Sequence, residues 1–156
     1  MDQKLTVIVF LAALPMLLLA QAAGDAEPTP GSQSSDDHRV LVEIPKSVGA
    51  TIRQEMRSHL SSLQALMTAL ANQRLDDVAE IASEQLGSGI MRSHRNRGGG
   101  PGRYLPPAMR SIGRSMHTAA DEMAEAAKAG NQAETMRHLG QITAACSACH
   151  NSYRIR

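Results

Sequence analysis

The sequence predicts an all-α fold, an antiparallel up-down four-helix bundle, and three observations predict it. Four stretches carry apolar residues at the three- and four-residue spacing that gathers them on one helical face. Short turns separate the first stretch from the second and the third from the fourth, which folds consecutive helices side by side in opposite directions. No β-rich segment precedes residue 146.

Taken in order, residues 1–22 have the pattern of a secretory signal peptide. Lys4 sits in a short n-region, an apolar run extends from Leu5 to Ala20, and Ala20-Gln21-Ala22 supplies a small-residue cleavage site. The run falls short of the roughly 20 apolar residues that span a bilayer, so no stable membrane insertion is expected after cleavage. Residues 23–45 hold Pro28, Pro30, Gly31, several serines and the acids Asp25, Glu27, Asp36, Asp37 and Glu43. That is the composition of a flexible, solvated leader, with order expected to begin near Pro45 and the bundle to occupy residues 46–156.

The first helix is expected over about 46–71, with Ile52, Met56, Leu60, Leu63, Met67 and Leu70 forming one stripe. A turn at Asn72 to Arg74 leads into a second helix near 75–87, where Leu75, Val78, Ala82 and Leu86 keep the phase until Gly87. Residues 88–105 include Gly98-Gly99-Gly100-Pro101-Gly102 and are expected to be irregular. The third helix starts at Pro106-Pro107, carries Met109, Ile112, Met116, Ala120, Met123 and Ala127, and stops at Gly130. Asn131, with Glu134 three residues on, resembles a capping box that opens the fourth. Its buried face would be Met136, Leu139, Ile142, Cys146, Cys149 and Tyr153.

Composition adds two constraints. Formal net charge is +1, which steers the chain toward neither nucleic acid nor an anionic membrane. Beyond the signal segment the only aromatic rings are Tyr104 and Tyr153. Since each aromatic side chain normally buries about 150–250 Å², a core of Leu, Met, Ile and Ala is thin for this length, and a bound apolar group would complete it.

The chemistry lies in Cys146-Ser147-Ala148-Cys149-His150. A C-x-x-C-H run is the attachment pattern of haem c: two thiols add to the two vinyl groups of one porphyrin while the adjacent imidazole reaches its iron. Cys146 and Cys149 would hold one covalent haem, and His150 would be its proximal ligand, the second ring nitrogen being fixed by an acceptor. These are the only two cysteines. A dithiol redox pair would want a strand leading into the helix, and a zinc site would need about four ligands, for which no second C-x-x-C or H-x₃-H partner is present. Covalent haem attachment is extracytoplasmic in bacteria, so the motif and the export signal agree on a periplasmic location.

A motif Cys146-x-x-Cys149-His150-x-x-Tyr153-Arg154 on the last of four helices resembles the class II cytochromes c, that is, cytochrome c′ and the low-spin cytochrome c-556 group. The resemblance spans about residues 46–156. It implies that the first helix covers the distal side of the haem. Met56, in Met56-Arg57-Ser58-His59-Leu60, then looks like the methionine that ligates iron in the low-spin members. Ile52, one turn earlier, would instead close a five-coordinate pocket, as an apolar residue does in cytochrome c′. His59 is a further ligand candidate, beside the stripe rather than on it. Arg53 and Arg57 are candidates for pairing with the haem propionates.

Between Gln85 and Ala120 there are six arginines (Arg92, Arg95, Arg97, Arg103, Arg110, Arg114) and no acid. Such a run is either a solvated face or a patch complementary to an electron partner. No paired carboxylates near the motif and no Ser-His-Asp pattern point to substrate turnover, so the protein is not expected to be an enzyme. The readings that remain are single-electron transfer with a redox partner protein, in a monomer or a homodimer, and binding of nitric oxide or carbon monoxide at a five-coordinate haem.

Overall fold

A computed structural model describes residues 37–96 and 99–156. The signal segment and most of the leader lie outside the described residues. The fold is mostly helical. In order it comprises strand β1 (Val40–Val42), helices α1 (Lys46–Ala71) and α2 (Leu75–Ile81), a π-helical turn (Ala82–Leu86), α3 (Gly89–Asn96), a 3₁₀ turn (Pro101–Tyr104), α4 (Pro107–Lys128), α5 (Gln132–Ser152) and strand β2 (Tyr153–Ile155).

Local chemistry explains the helix ends. Proline precedes both α1 and α4, and its carbonyl accepts the first hydrogen bond of each helix, Pro45 from the Gly49 N–H at 3.0 Å and Pro106 from the Arg110 N–H at 3.0 Å. Asp76 and Asp77 sit in the first turn of α2, where carboxylates complement the positive end of the helix dipole. Gly130 takes φ 71°, a conformation that closes α4 without a Cβ penalty. Asn131 then caps α5, its side chain accepting from the N–H of Glu134 at 3.1 Å. The Glu134 carboxylate turns to Arg137 at 2.7 Å, so the cap is one-sided.

The core lies where α1, α2, the π turn, α4 and α5 meet. Leu66, Leu70, Val78, Leu86, Met116, Met123 and Ile142 form it together with small alanines, and it contains no aromatic ring. The closely packed pairs are α4 with α5 and α2, α1 with α2 and the π turn; α1 and α5 are not among them.

Four expectations change. On α1 the buried face runs through Ile52, Ser62, Leu66, Ala69 and Leu70, and Leu60 (68% exposed), Met67 and Met56 (39%) lie at its outer edge. On α5 Thr135 and His138 are buried and Met136 is exposed. Part of the segment expected to be irregular is α3. The leader is not wholly without structure: Val40–Val42 pairs in parallel with Tyr153–Ile155, Val40 opposite Tyr153. Tyr153 therefore leaves the helix for a strand.

Candidate cofactor-attachment site

The last helix presents Cys146, Cys149 and His150 in its final two turns. Ile142, one turn before Cys146, is fully buried and seats α5 on the core, and Cys146 packs against the edge of the same cluster. Beyond that point burial falls away. Both cysteines are half-buried and His150 is exposed. The thiols are free. Burial pushes the Cys146 thiol above its ordinary pKa. It raises Cys149 as well, with a smaller push from its neighbour Cys146, so both are protonated at neutral pH.

This donor set fits a covalently held haem. Two uncharged thiols three residues apart share a helix face with one imidazole, and the face is open rather than packed against α1. Conversion of these half-buried, uncharged thiols to neutral thioethers removes no charge from the site. The aromatic-free core and the wet end of α5 together leave room for an apolar group to bury. Among the described residues no three His, Cys, Asp or Glu come together to hold a metal ion, so the C-x-x-C-H segment does not recruit the further side chains a zinc site needs.

The candidates on α1 are placed less tightly. Ile52 is buried (7% exposed), one turn before the exposed Met56. Arg53 and Arg57 are exposed; Arg57 donates to Gln54 Oε1 at 2.6 Å. His59 lies on the inward side of α1, not beside it: its ring meets that of His117 on α4 edge to face, centroids 5.8 Å apart. Burial, and secondarily His117, lower the His59 pKa. His117 Nδ1 donates to the Leu86 carbonyl at 2.7 Å, a carbonyl of the π turn, which fixes that tautomer. His94, within the segment expected to be irregular, is on α3 and contacts Glu55 of α1 at 3.2 Å.

Sequence reasoning missed the strap over the end of the motif helix. Strand β2 follows His150 by three residues and is held by β1 and by Arg156 N–H donating to Val42 at 3.3 Å. Asp37 accepts two hydrogen bonds from the Arg39 guanidinium, each 2.8 Å, and one from the Arg39 backbone N–H at 3.2 Å, and lies 3.4 Å from Arg154 Nε. That nitrogen is buried without a hydrogen-bond partner, so the carboxylate is its electrostatic counterpart. The Arg39 hydrogen bond holds the Asp37 carboxyl well below the usual carboxylate range. The one signal was the apolar triplet Val40-Leu41-Val42 inside a polar leader.

Comparison with known proteins comes to one finding. A family model described as Cytochrome C' matches residues 106–154, which span α4, α5 and the first two residues of β2, and so include the attachment motif. The match covers 49 of the 156 residues, and over that stretch it agrees with the resemblance to class II cytochromes c drawn from the motif. Helix α1, with Met56, Arg53 and Arg57, lies outside the match. No curated protein and no solved structure matches the chain.

Proposed function

We propose that this protein is a periplasmic monohaem c-type cytochrome that carries single electrons between partner proteins. The observation that carries this reading is the Cys146-x-x-Cys149-His150 face, open on α5 inside the stretch matched by the Cytochrome C' model. Cys146 and Cys149 would hold the haem through thioethers, and His150 would stand on its proximal side. The haem, when bound, supplies a one-electron couple. The chain's own share is to anchor that group, shield it and tune it. Ile142 and Cys146 tie the motif to the core, and Ile52 offers an apolar wall from α1. Met56 would offer its thioether as distal ligand, and Arg53 and Arg57 their guanidinium groups to the propionates. The up-down antiparallel arrangement, a homodimer through the exposed Leu60 and Met67 edge of α1, and the absence of substrate turnover belong to the same reading.

The burial of Ile52 and the exposure of Met56 favour a second reading, a five-coordinate haem that binds nitric oxide or carbon monoxide. One set of measurements separates the two. Covalent haem should survive denaturing electrophoresis and stain for peroxidase activity; extraction into acidified organic solvent would refute thioether attachment. With Met56 as ligand, the ferric spectrum is low-spin, and Met56→Ala turns it high-spin and opens the reduced protein to carbon monoxide. High-spin iron in the unmutated protein, unchanged by Met56→Ala, selects gas binding.

A further inference from the structure

The strap after the attachment motif brings a cation close behind His150, and its counter-charge comes from the other end of the chain. Strand β2 starts three residues after His150, and Leu41 of β1 stands opposite Arg154. Val42 is buried and its carbonyl accepts from the Arg156 N–H at 3.3 Å, so the pair of strands is seated on the protein.

Arg154 is partly buried, and its Nε is enclosed without a hydrogen-bond partner. Among the described residues Asp37 is the one carboxylate within ion-pair distance of it, Oδ2 lying 3.4 Å from that nitrogen. The same oxygen accepts from Arg39 Nη2 at 2.8 Å, while Oδ1 accepts from Arg39 Nε at 2.8 Å. One carboxylate therefore faces two guanidinium groups. The hydrogen bond from Arg39 holds the Asp37 carboxyl well below the usual carboxylate range, which keeps it ionised at neutral pH.

The chain itself limits how far these charges lie from the motif. Four residues separate Arg154 from His150, at most about 14 Å between Cα atoms if fully extended, and the span is shorter because α5 runs to Ser152.

We infer that Asp37 tunes the reduction potential of the haem: its carboxylate, held against Arg154 by the strap, favours the ferric over the ferrous state. The inference rests on the haem-binding reading and applies to five- and six-coordinate iron alike. A ferric centre carries one more positive charge than a ferrous one, so a fixed anion near it favours loss of the electron. Without Asp37 the strap would set two guanidinium groups, one with an enclosed and unpaired nitrogen, behind the motif with no contacting anion to offset them. Asp37 acts through Arg154 and the local field rather than by contact with iron, as a positioning residue.

The test is a spectroelectrochemical titration of the haem-loaded full chain at neutral pH and fixed ionic strength, with haem absorbance and peroxidase stain recorded first. Asp37→Asn should raise the potential. Across about 14 Å, at an effective dielectric between those of water and a protein surface, one charge changes the ferric-to-ferrous equilibrium about two- to sevenfold, which is about 20–50 mV at 59 mV per decade. Arg154→Gln should lower it by a similar amount. Asp37→Glu keeps the charge and should restore the unmutated value. Asp77→Asn removes the same charge beyond the far end of α1, a 26-residue helix about 39 Å long, and should leave the potential in place.

The sign separates charge from structure. A strap merely loosened by Asp37→Asn would admit water to the haem, which favours the ferric state and lowers the potential. An upward shift in Asp37→Asn, missing from Asp37→Glu and Asp77→Asn, supports the inference. A downward shift, no shift, or an equal shift from Asp77→Asn overturns it. A changed spin state in the optical spectrum of Asp37→Asn assigns the shift to iron ligation and overturns it as well. A preparation without covalent haem overturns the haem reading and this inference with it, and is seen before any potential is measured.

Discussion

Two leucines on one helix test the packing directly. Leu60 and Leu66 share residue type and helix, but Leu60 is 68% exposed and Leu66 fully buried against the core. Truncating Leu66 to alanine removes three carbons, about 2.4 kcal/mol of transfer free energy at roughly 0.8 kcal/mol per methylene. The cavity left in a close-packed core adds to this and brings the cost to about 3–4 kcal/mol. For a domain of this size that lowers the melting temperature by roughly 10–15 °C. Leu60→Ala removes the same atoms from a mostly wet position and should cost at most about 0.5–1 kcal/mol. Urea denaturation of the haem-loaded protein, followed by circular dichroism and by haem absorbance, measures both. Equal losses for the two variants would refute the orientation assigned to α1, since the stripe read from sequence holds Leu60 and leaves out Leu66.

The strap and the buried histidine give two further predictions. Asp37→Asn removes the charge that faces Arg39 and Arg154, so amide hydrogens of residues 153–156 should exchange several-fold faster while those of α4 and the core half of α5 are unaffected; uniform exchange rates would show that the strap does not depend on that carboxylate. His59 has a folded-state pKa below its unfolded value, so the unfolded chain binds a proton first as pH falls. Its stabilising contribution is full above the unfolded pKa of about 6.5 and declines as pH drops through and below that value. Melting temperatures taken from pH 8 to pH 5 should show this decline, and His59→Gln should flatten it; a curve of the same shape in the variant would assign the dependence elsewhere.

Much of this molecule was legible because the relevant information is local. The 3.6-residue periodicity, Pro45 and Pro106 before helices, Gly87 and Gly130 after them and the Asn131 cap placed helices at 46–71, near 75–87, near 107–130 and from 131 onward. Each signal acts within one or two turns. The attachment motif was equally plain, because two thiols and an imidazole on adjacent turns need only one helix to meet one ligand. What the tertiary structure decided is non-local. The rotation of α1, which buries Ser62 and Leu66 and exposes Leu60 and Met67, follows from α1 packing on α2 and the π turn while α5 packs on α4. The pairing of Val40–Val42 with Tyr153–Ile155 joins segments over a hundred residues apart, and neither short strand has a partner until the intervening helices bring them together. The meeting of His59 and His117 likewise depends on which helices become neighbours, and no local sequence pattern encodes that choice.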